Sequence, residues 1–214
     1  MHVAPVAISQ EALCSVLGNE ATDDRVETID RLRVAGSEIA NPVGLYIPFH
    51  PELENGEMLI NGVRFSEPFI YSMLSGSDIV VPYVATCGVE IDTWSEHFEN
   101  PFERLVLDKF RELCLFQLRD KLLDTVKAQF FDITKNISAI NPGSLAEWPL
   151  AGQIPLFKIL GSVTEDIGVS LTDKLWMIPI KSVSGFLFQS DEAYENCQLC
   201  PRPDCPNRRV DYIG

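Results

Sequence analysis

Three cysteines stand close together near the C-terminal end, in Cys197-Gln-Leu-Cys200-Pro-Arg-Pro-Asp-Cys205. A C-x2-C spacing lets two thiolates face one metal ion, and a third sulfur follows after four intervening residues. The prolines between them stiffen the loop and lower the entropy lost on ordering it around an ion. In a reducing compartment, closely spaced thiols bind metal or do redox work more often than they form structural disulfides. The spacing therefore points to zinc or an iron-sulfur cluster, with free or disulfide-forming thiols as the alternative. Three thiolates leave a four-ligand site one short, so Cys87, a solvent molecule or another chain is the candidate fourth ligand. Arg208 and Arg209 are placed to stabilise thiolate or cluster charge.

Cys87 lies in Thr86-Cys-Gly88, at the end of an apolar run where strand ends carry functional groups onto loops. A buried cysteine is equally a small hydrophobe, which is also how Cys14 and Cys114 read on their apolar helix faces. His2, His50 and His97 share no ligand spacing. No Ser-His-Asp or Cys-His grouping stands out in the sequence.

These residues need elements to hold them. Ser9 caps a predicted helix over residues 10–17, and Val26, Ile29, Leu32 and Val34 predict a second ending near Ala40. Residues 43–48 read as extended, and 58–65 as two short strands about the Asn61-Gly62 turn. Residues 78–88 read as a buried strand despite Pro82, which lacks a ladder donor. Asn100, Pro101 and Glu103 form a helix start. Leu107, Phe110, Cys114, Leu118, Leu122 and Val126 then recur at spacings of three and four, predicting a long helix to about Phe131. A short strand over 137–140, the Asn141-Pro-Gly143 turn, a helix over 153–160 and a strand pair over 175–180 and 183–188 complete the series. Strands and helices segregate without βαβ alternation, so the fold class expected is α+β.

A chain of 214 residues, 46% of them hydrophobic, supports one sizeable core, and no linker divides it. The organisation expected is a globular domain over 1–195 and a Cys-rich tail over 196–214. Thirty-one acidic residues against 17 basic ones give a net charge of −14, which disfavours nucleic acid as a partner. The start of the chain has no basic leader, and its longest uncharged stretches are too short to span a membrane. The expected location is cytoplasmic.

The run Lys181-Ser-Val-Ser-Gly-Phe-Leu-Phe188, together with Ser170-Leu-Thr-Asp173, the Asn141-Pro-Gly143 turn and the long helix, resembles the activation domain of cobalamin-dependent methionine synthase in a stand-alone form. The resemblance covers roughly residues 100–194. It implies a twisted antiparallel sheet flanked by helices. It also implies a role in reductive reactivation: binding S-adenosylmethionine and docking on a corrinoid protein or cobalamin-dependent methyltransferase, whose cobalamin the donor methylates. Asp124 matches a carboxylate near the donor's cationic part, although Lys121 and Lys127 on the same helix make an exposed charge pair equally simple. Asn141 stands where the family has a loop arginine that grips the donor's carboxylate, and a neutral amide lacks that charge-assisted, bidentate contact. Gly143 follows it in the turn. Ser182, Ser184 and Gly185 bring backbone close to the donor, or else mark a kink in a strand. Tyr194 matches a tyrosine that stacks on the donor, and Trp148 is the tryptophan expected to face the loop ligand. The alternatives are a non-catalytic docking module for a corrinoid protein and a small metal or iron-sulfur redox protein.

Overall fold

The structure is a computed structural model that describes residues 7–18, 23–191, 194–205, 208 and 210–213. Along the chain run α1 (Gln10–Leu17), α2 (Asp23–Ile39), β1 (Val43–Tyr46), β2 (Glu52–Glu54), β3 (Glu57–Ile60), β4 (Val63–Phe65), α3 (Pro68–Leu74) and β5 (Val80–Thr86). There follow α4 (Val89–Ser95), α5 (Pro101–Phe130), β6 (Asn136–Ile140), α6 (Gln153–Leu160), α7 (Val163–Ile167), β7 (Ser170–Leu171), β8 (Met177–Ile178) and β9 (Ser182–Ser190). A four-stranded sheet has the order β1-β5-β9-β6, a three-stranded meander is β2-β3-β4, and β7 pairs with β8. Where strand partners are resolved they are antiparallel: β6 with β9, β7 with β8, and both pairs of the meander. The α+β class expected from the segregated pattern is the class found.

Two compact units make up the chain. The first comprises Met1–Leu45, Ala85–Leu122 and Val163–Val183. Ser9 caps α1 by accepting a hydrogen bond from the Ala12 N–H at 3.1 Å, as its side chain and position predict. Asn100 caps α5, its Oδ1 accepting from Phe102 N at 2.8 Å, while Glu103 turns outward to pair with Arg31 instead of closing a capping box. The core packs Leu13, Ile29, Leu32, Ile91, Leu107, Phe110 and Cys114 into one cluster, with Cys87 inside it.

The second unit comprises Tyr46–Val84, Leu123–Ser162 and Ser184–Gly214. Its core is aromatic. Phe186 on β9 stacks on Trp148 with ring centres 5.6 Å apart, and Phe65 from β4 meets the same ring edge-on at 5.3 Å. All the apolar stripe residues of α5 from Leu107 to Val126 are buried, as their helical spacing requires.

Residues 175–180 and 183–188 do not pair as expected. The first is only the two-residue β8, which pairs with β7, whereas β9 pairs with β6 in the register Ile140↔Phe186 to Asn136↔Ser190. Pro179 accounts for the difference, since it removes the N–H that would continue β8. Trp176 is 62% exposed. Among the described residues no helix is long and apolar enough to cross a membrane.

β6 and β9 approach closely at Gly185, where a β-carbon would lie 2.1 Å from the Ile140 carbonyl oxygen and 2.6 Å from Asn141 Nδ2. Backbone cannot yield there as a flexible side chain would. Gly185→Ala should lower stability by about 3 kcal/mol. Gly76→Ala, where the added carbon meets nothing within 4 Å, should be close to neutral in the same urea titration.

Candidate functional site

Asn141 ends β6 and is the hub of the second unit. Its Nδ2 donates to the Tyr83 hydroxyl at 2.9 Å and to the Ser184 carbonyl at 2.7 Å, while its Oδ1 accepts from Asn196 Nδ2 at 3.0 Å. Both donors of the amide and its oxygen are thus engaged within the protein. Asn141 fastens β5, β9 and the start of the tail to one point, and its amide is not turned outward to grip a carboxylate.

Beyond Asn141 the chain makes a tight excursion. Gly143 has φ +80° and donates its N–H to the Trp148 carbonyl at 2.8 Å, while Ser144 N donates back to the Asn141 carbonyl. A β-carbon at Gly143 would also sit 2.9 Å from a Leu150 methyl. The turn returns Trp148 to the interior, where it is fully buried beneath Phe186 and so does not stand open to a loop ligand. Gly152 lets the indole lie flat on the backbone, since a β-carbon there would fall 2.1 Å from Trp148 Nε1.

Ser184 is buried, its carbonyl held by Asn141. Gly185 brings β9 against the backbone of β6, so the close approach its lack of a β-carbon permits is strand to strand. Tyr194 is half-buried and donates its backbone N–H to Ser138 Oγ at 2.9 Å. Burial first, then the carboxylates of Glu147 and Glu195, push its phenol up to about 12. Glu147 is exposed in the Asn141 loop, and the sequence offered no pattern that singled it out. Asp124 is exposed on α5, with Lys121 and Lys127 three residues to either side.

Several buried polar atoms of this unit have no hydrogen-bond partner among the described residues: Trp148 Nε1, Gln153 Oε1, Ser184 Oγ, Tyr194 OH and Asn196 Oδ1. They are close neighbours in the network. Asn196 and Ser184 both bond to Asn141, Trp148 stacks on Phe186 two residues beyond Ser184, and Gln153 follows the glycine under the indole. Leaving a buried polar group unmet costs about 1–3 kcal/mol, so their concentration around one loop marks that loop as a place where partners are to be supplied. The set includes an indole N–H and a phenol that donate, amide oxygens that accept and a hydroxyl that does either.

Ser182 and Cys87 belong to the first unit. The Ser182 hydroxyl donates to the Pro179 carbonyl at 2.6 Å and lies 2.9 Å from Thr86 Oγ1. Cys87 is fully buried in the apolar cluster, where desolvation pushes its thiol up to about 12, and Cys114 is pushed to about 12 for the same reason. It behaves as a small hydrophobe there.

Cys197, Cys200 and Cys205 are free and half-buried. Arg208 organises their loop. Its guanidinium donates to the carbonyls of Cys197 at 2.8 Å, Cys200 at 3.0 Å and Arg202 at 2.5 Å, touching the backbone instead of balancing sulfur charge. Arg209 lies outside the described residues. Among the described residues no group of three or more His, Cys, Asp or Glu is placed to hold a metal ion.

No family model matches the chain, and none of the curated proteins compared with it does. Thirteen chains of solved structures match it. One is the crystal structure of the MetH reactivation domain bound to AdoHcy, 17% identical, with a TM-score of 0.62. The match covers 80% of this chain and 65% of that one, so this chain spans less than two thirds of that structure's length. The likeness shows a shared fold.

Thiol chemistry separates the two groups of cysteines. In the native protein an aromatic disulfide reagent near pH 8 should modify Cys197, Cys200 and Cys205 readily, whereas Cys87 and Cys114 should react only on unfolding. Equal rates before and after denaturation would contradict the burial described. The Tyr194 phenol gives a second test. A folded value raised above the ordinary phenol value of 10.0 contributes stability that is present below pH 10 and lost as pH rises towards about 12. Tyr194→Phe should reduce the loss of melting temperature across that window while leaving the two thiols' share in place.

Proposed function

We propose that this chain is an S-adenosylmethionine-binding partner in the reductive reactivation of a corrinoid-dependent methyltransferase of the methionine synthase type. The observation that carries this is the gathering of unmet buried polar atoms about the Asn141 loop, in a fold shared with the MetH reactivation domain bound to AdoHcy. The loop, Ser184, Gly185 and Tyr194 are also the segments to which the sequence resemblance assigned the donor.

The residues present fit the nucleoside and the cationic centre of such a donor better than its carboxylate. Trp148 Nε1 and the Tyr194 hydroxyl are donors for ring nitrogens or ribose oxygens. Asn196 Oδ1 and Gln153 Oε1 accept from an exocyclic amine or a ribose hydroxyl. Reaching these atoms requires the loop to open, since they are fully covered in the structure described. Glu147 beside Tyr194 offers a carboxylate to a sulfonium or ammonium. Asn141 contributes by holding β6, β9 and the tail in register; the carboxylate of the donor finds no guanidinium at that position.

When bound, the donor supplies a methyl cation to the reduced corrinoid of the partner protein. The chain's share is to bind the donor, aim its methyl group and keep water away, which is catalysis by positioning. Tyr194 stays protonated through the neutral range and so acts as a hydrogen-bond donor. No metal of the tail enters this scheme.

Calorimetric titration with S-adenosylmethionine and with S-adenosylhomocysteine is the test. Both should bind saturably, and Glu147→Gln should weaken S-adenosylmethionine about tenfold, a difference of about 1.4 kcal/mol. Absence of binding, alone and with an added corrinoid protein, would replace this reading with that of a docking module that keeps the fold without the donor.

A further inference from the structure

The second unit carries another concave feature, remote along β9 from the Asn141 hub. At the Gln189–Asp191 end of β9, where it meets the end of α5 and the turn between α3 and β5, lies a groove of about 350 Å³. Ser184 and Ser190 are six positions apart, so an extended strand separates the two places by about 20 Å. A groove of this volume is within the range of small-molecule sites.

Its walls are fixed before any ligand arrives. Ser77 donates its hydroxyl to the Gln189 carbonyl at 2.9 Å. The Gln189 side chain in turn brackets the turn after α5, donating to the Asp132 carbonyl at 2.8 Å and accepting from Asp132 N. Phe130 is held edge-on against Tyr46 with ring centres 6.2 Å apart.

The lining combines three kinds of surface. Ile79, Phe130 and Phe131 supply apolar and aromatic area, Lys135 supplies an ammonium, and Asp78 and Asp191 supply carboxylates. Lys135 and Asp191 pair loosely at 3.4 Å, with side chains 51% and 92% exposed. So weak and solvated a pair re-forms around a ligand at little cost. A ligand matching this lining has an anionic group for Lys135, a cationic group for Asp191 and Asp78, and an apolar body for the aromatic wall.

We propose that this groove binds a free zwitterionic α-amino acid with an apolar side chain. The inference rests on the groove alone and not on donor binding at the Asn141 loop.

The probes are L-leucine, L-methionine and L-phenylalanine, titrated into the full chain and followed by calorimetry and amide NMR shifts. Two truncated forms of leucine complete the set: 4-methylpentanoate, without the ammonium, and 3-methylbutylamine, without the carboxylate. At least one amino acid should saturate below about 10 mM, with shifts at Phe130, Phe131 and Asp191 and each truncated form of leucine about tenfold weaker. Lys135→Ala and Asp191→Asn should each weaken the amino acid about tenfold with the melting temperature unchanged, since both side chains are solvated. Saturating S-adenosylhomocysteine should leave the affinity as it was. The proposal is overturned if no amino acid saturates, if the truncated forms bind as well, if both variants bind normally, or if S-adenosylhomocysteine displaces the amino acid. The last outcome would assign the binding to the donor site, and the direct titrations decide the matter whether or not the donor binds.

Discussion

The carbonyl oxygen of Ile140 comes so near the α-carbon of Gly185 that no other residue type fits there without moving backbone. That approach sets the end of the β6–β9 pairing, and the end of the pairing sets where Asn141 stands. From there one amide reaches Tyr83, Ser184 and Asn196 together. Each of these bonds is worth only about 1 kcal/mol net. Their joint effect is geometric, because they tie a strand, a neighbouring strand and the tail to one short side chain. The loop that follows, the indole it buries and the Tyr194–Asn196 segment all take their positions from this junction.

An arginine at position 141 and the asparagine found there are alternative uses of one place. A guanidinium is long, charged and unsuited to burial without an anion, so it would project and leave the strand ends to be held otherwise. The amide is short and neutral, and carries two donors and one acceptor group that the surrounding Tyr83, Ser184 and Asn196 consume. On the donor-binding reading proposed above, recognition at this junction would rest on the neutral polar atoms nearby in place of a charge. Ser184 Oγ, Trp148 Nε1 and Tyr194 OH remain buried without internal partners at this junction, which otherwise satisfies its polar groups closely. In a buried setting such groups are costly singly and informative together.

Local chemistry in the sequence revealed most of the elements. Ser9, Asn100 and Pro101 marked helix starts, Asn61-Gly62 formed its turn, and the three-four spacing from Leu107 to Val126 predicted the buried face of α5. Short elements were missed: α3, α4 and α7 have five to seven residues, too few for a periodic pattern to emerge. The pairing of β9 was misjudged because adjacency in sequence favoured β8, whereas partner choice is settled by long-range contacts at Ile140 and Phe186. At the candidate site, side-chain roles were not legible. Nothing local in Asn141-Pro-Gly143 says that the amide points inward, and Glu147 comes near Tyr194 only through the folded loop.

The tail shows the same limit from the opposite direction. Spacing of Cys197, Cys200 and Cys205 reads as a ligand set because spacing is all that a sequence displays, and a metal is the commonest agent that closes such a loop. Carbonyls turned into a loop need hydrogen-bond donors, and a side chain of the same loop can supply them. The Arg208 guanidinium is planar, always charged and carries five N–H donors, so it meets the carbonyls of Cys197, Cys200 and Arg202 at once. It comes from the same chain. The tail's structural task is to deliver Asn196 to Asn141, whose Oδ1 accepts from Asn196 Nδ2 at 3.0 Å.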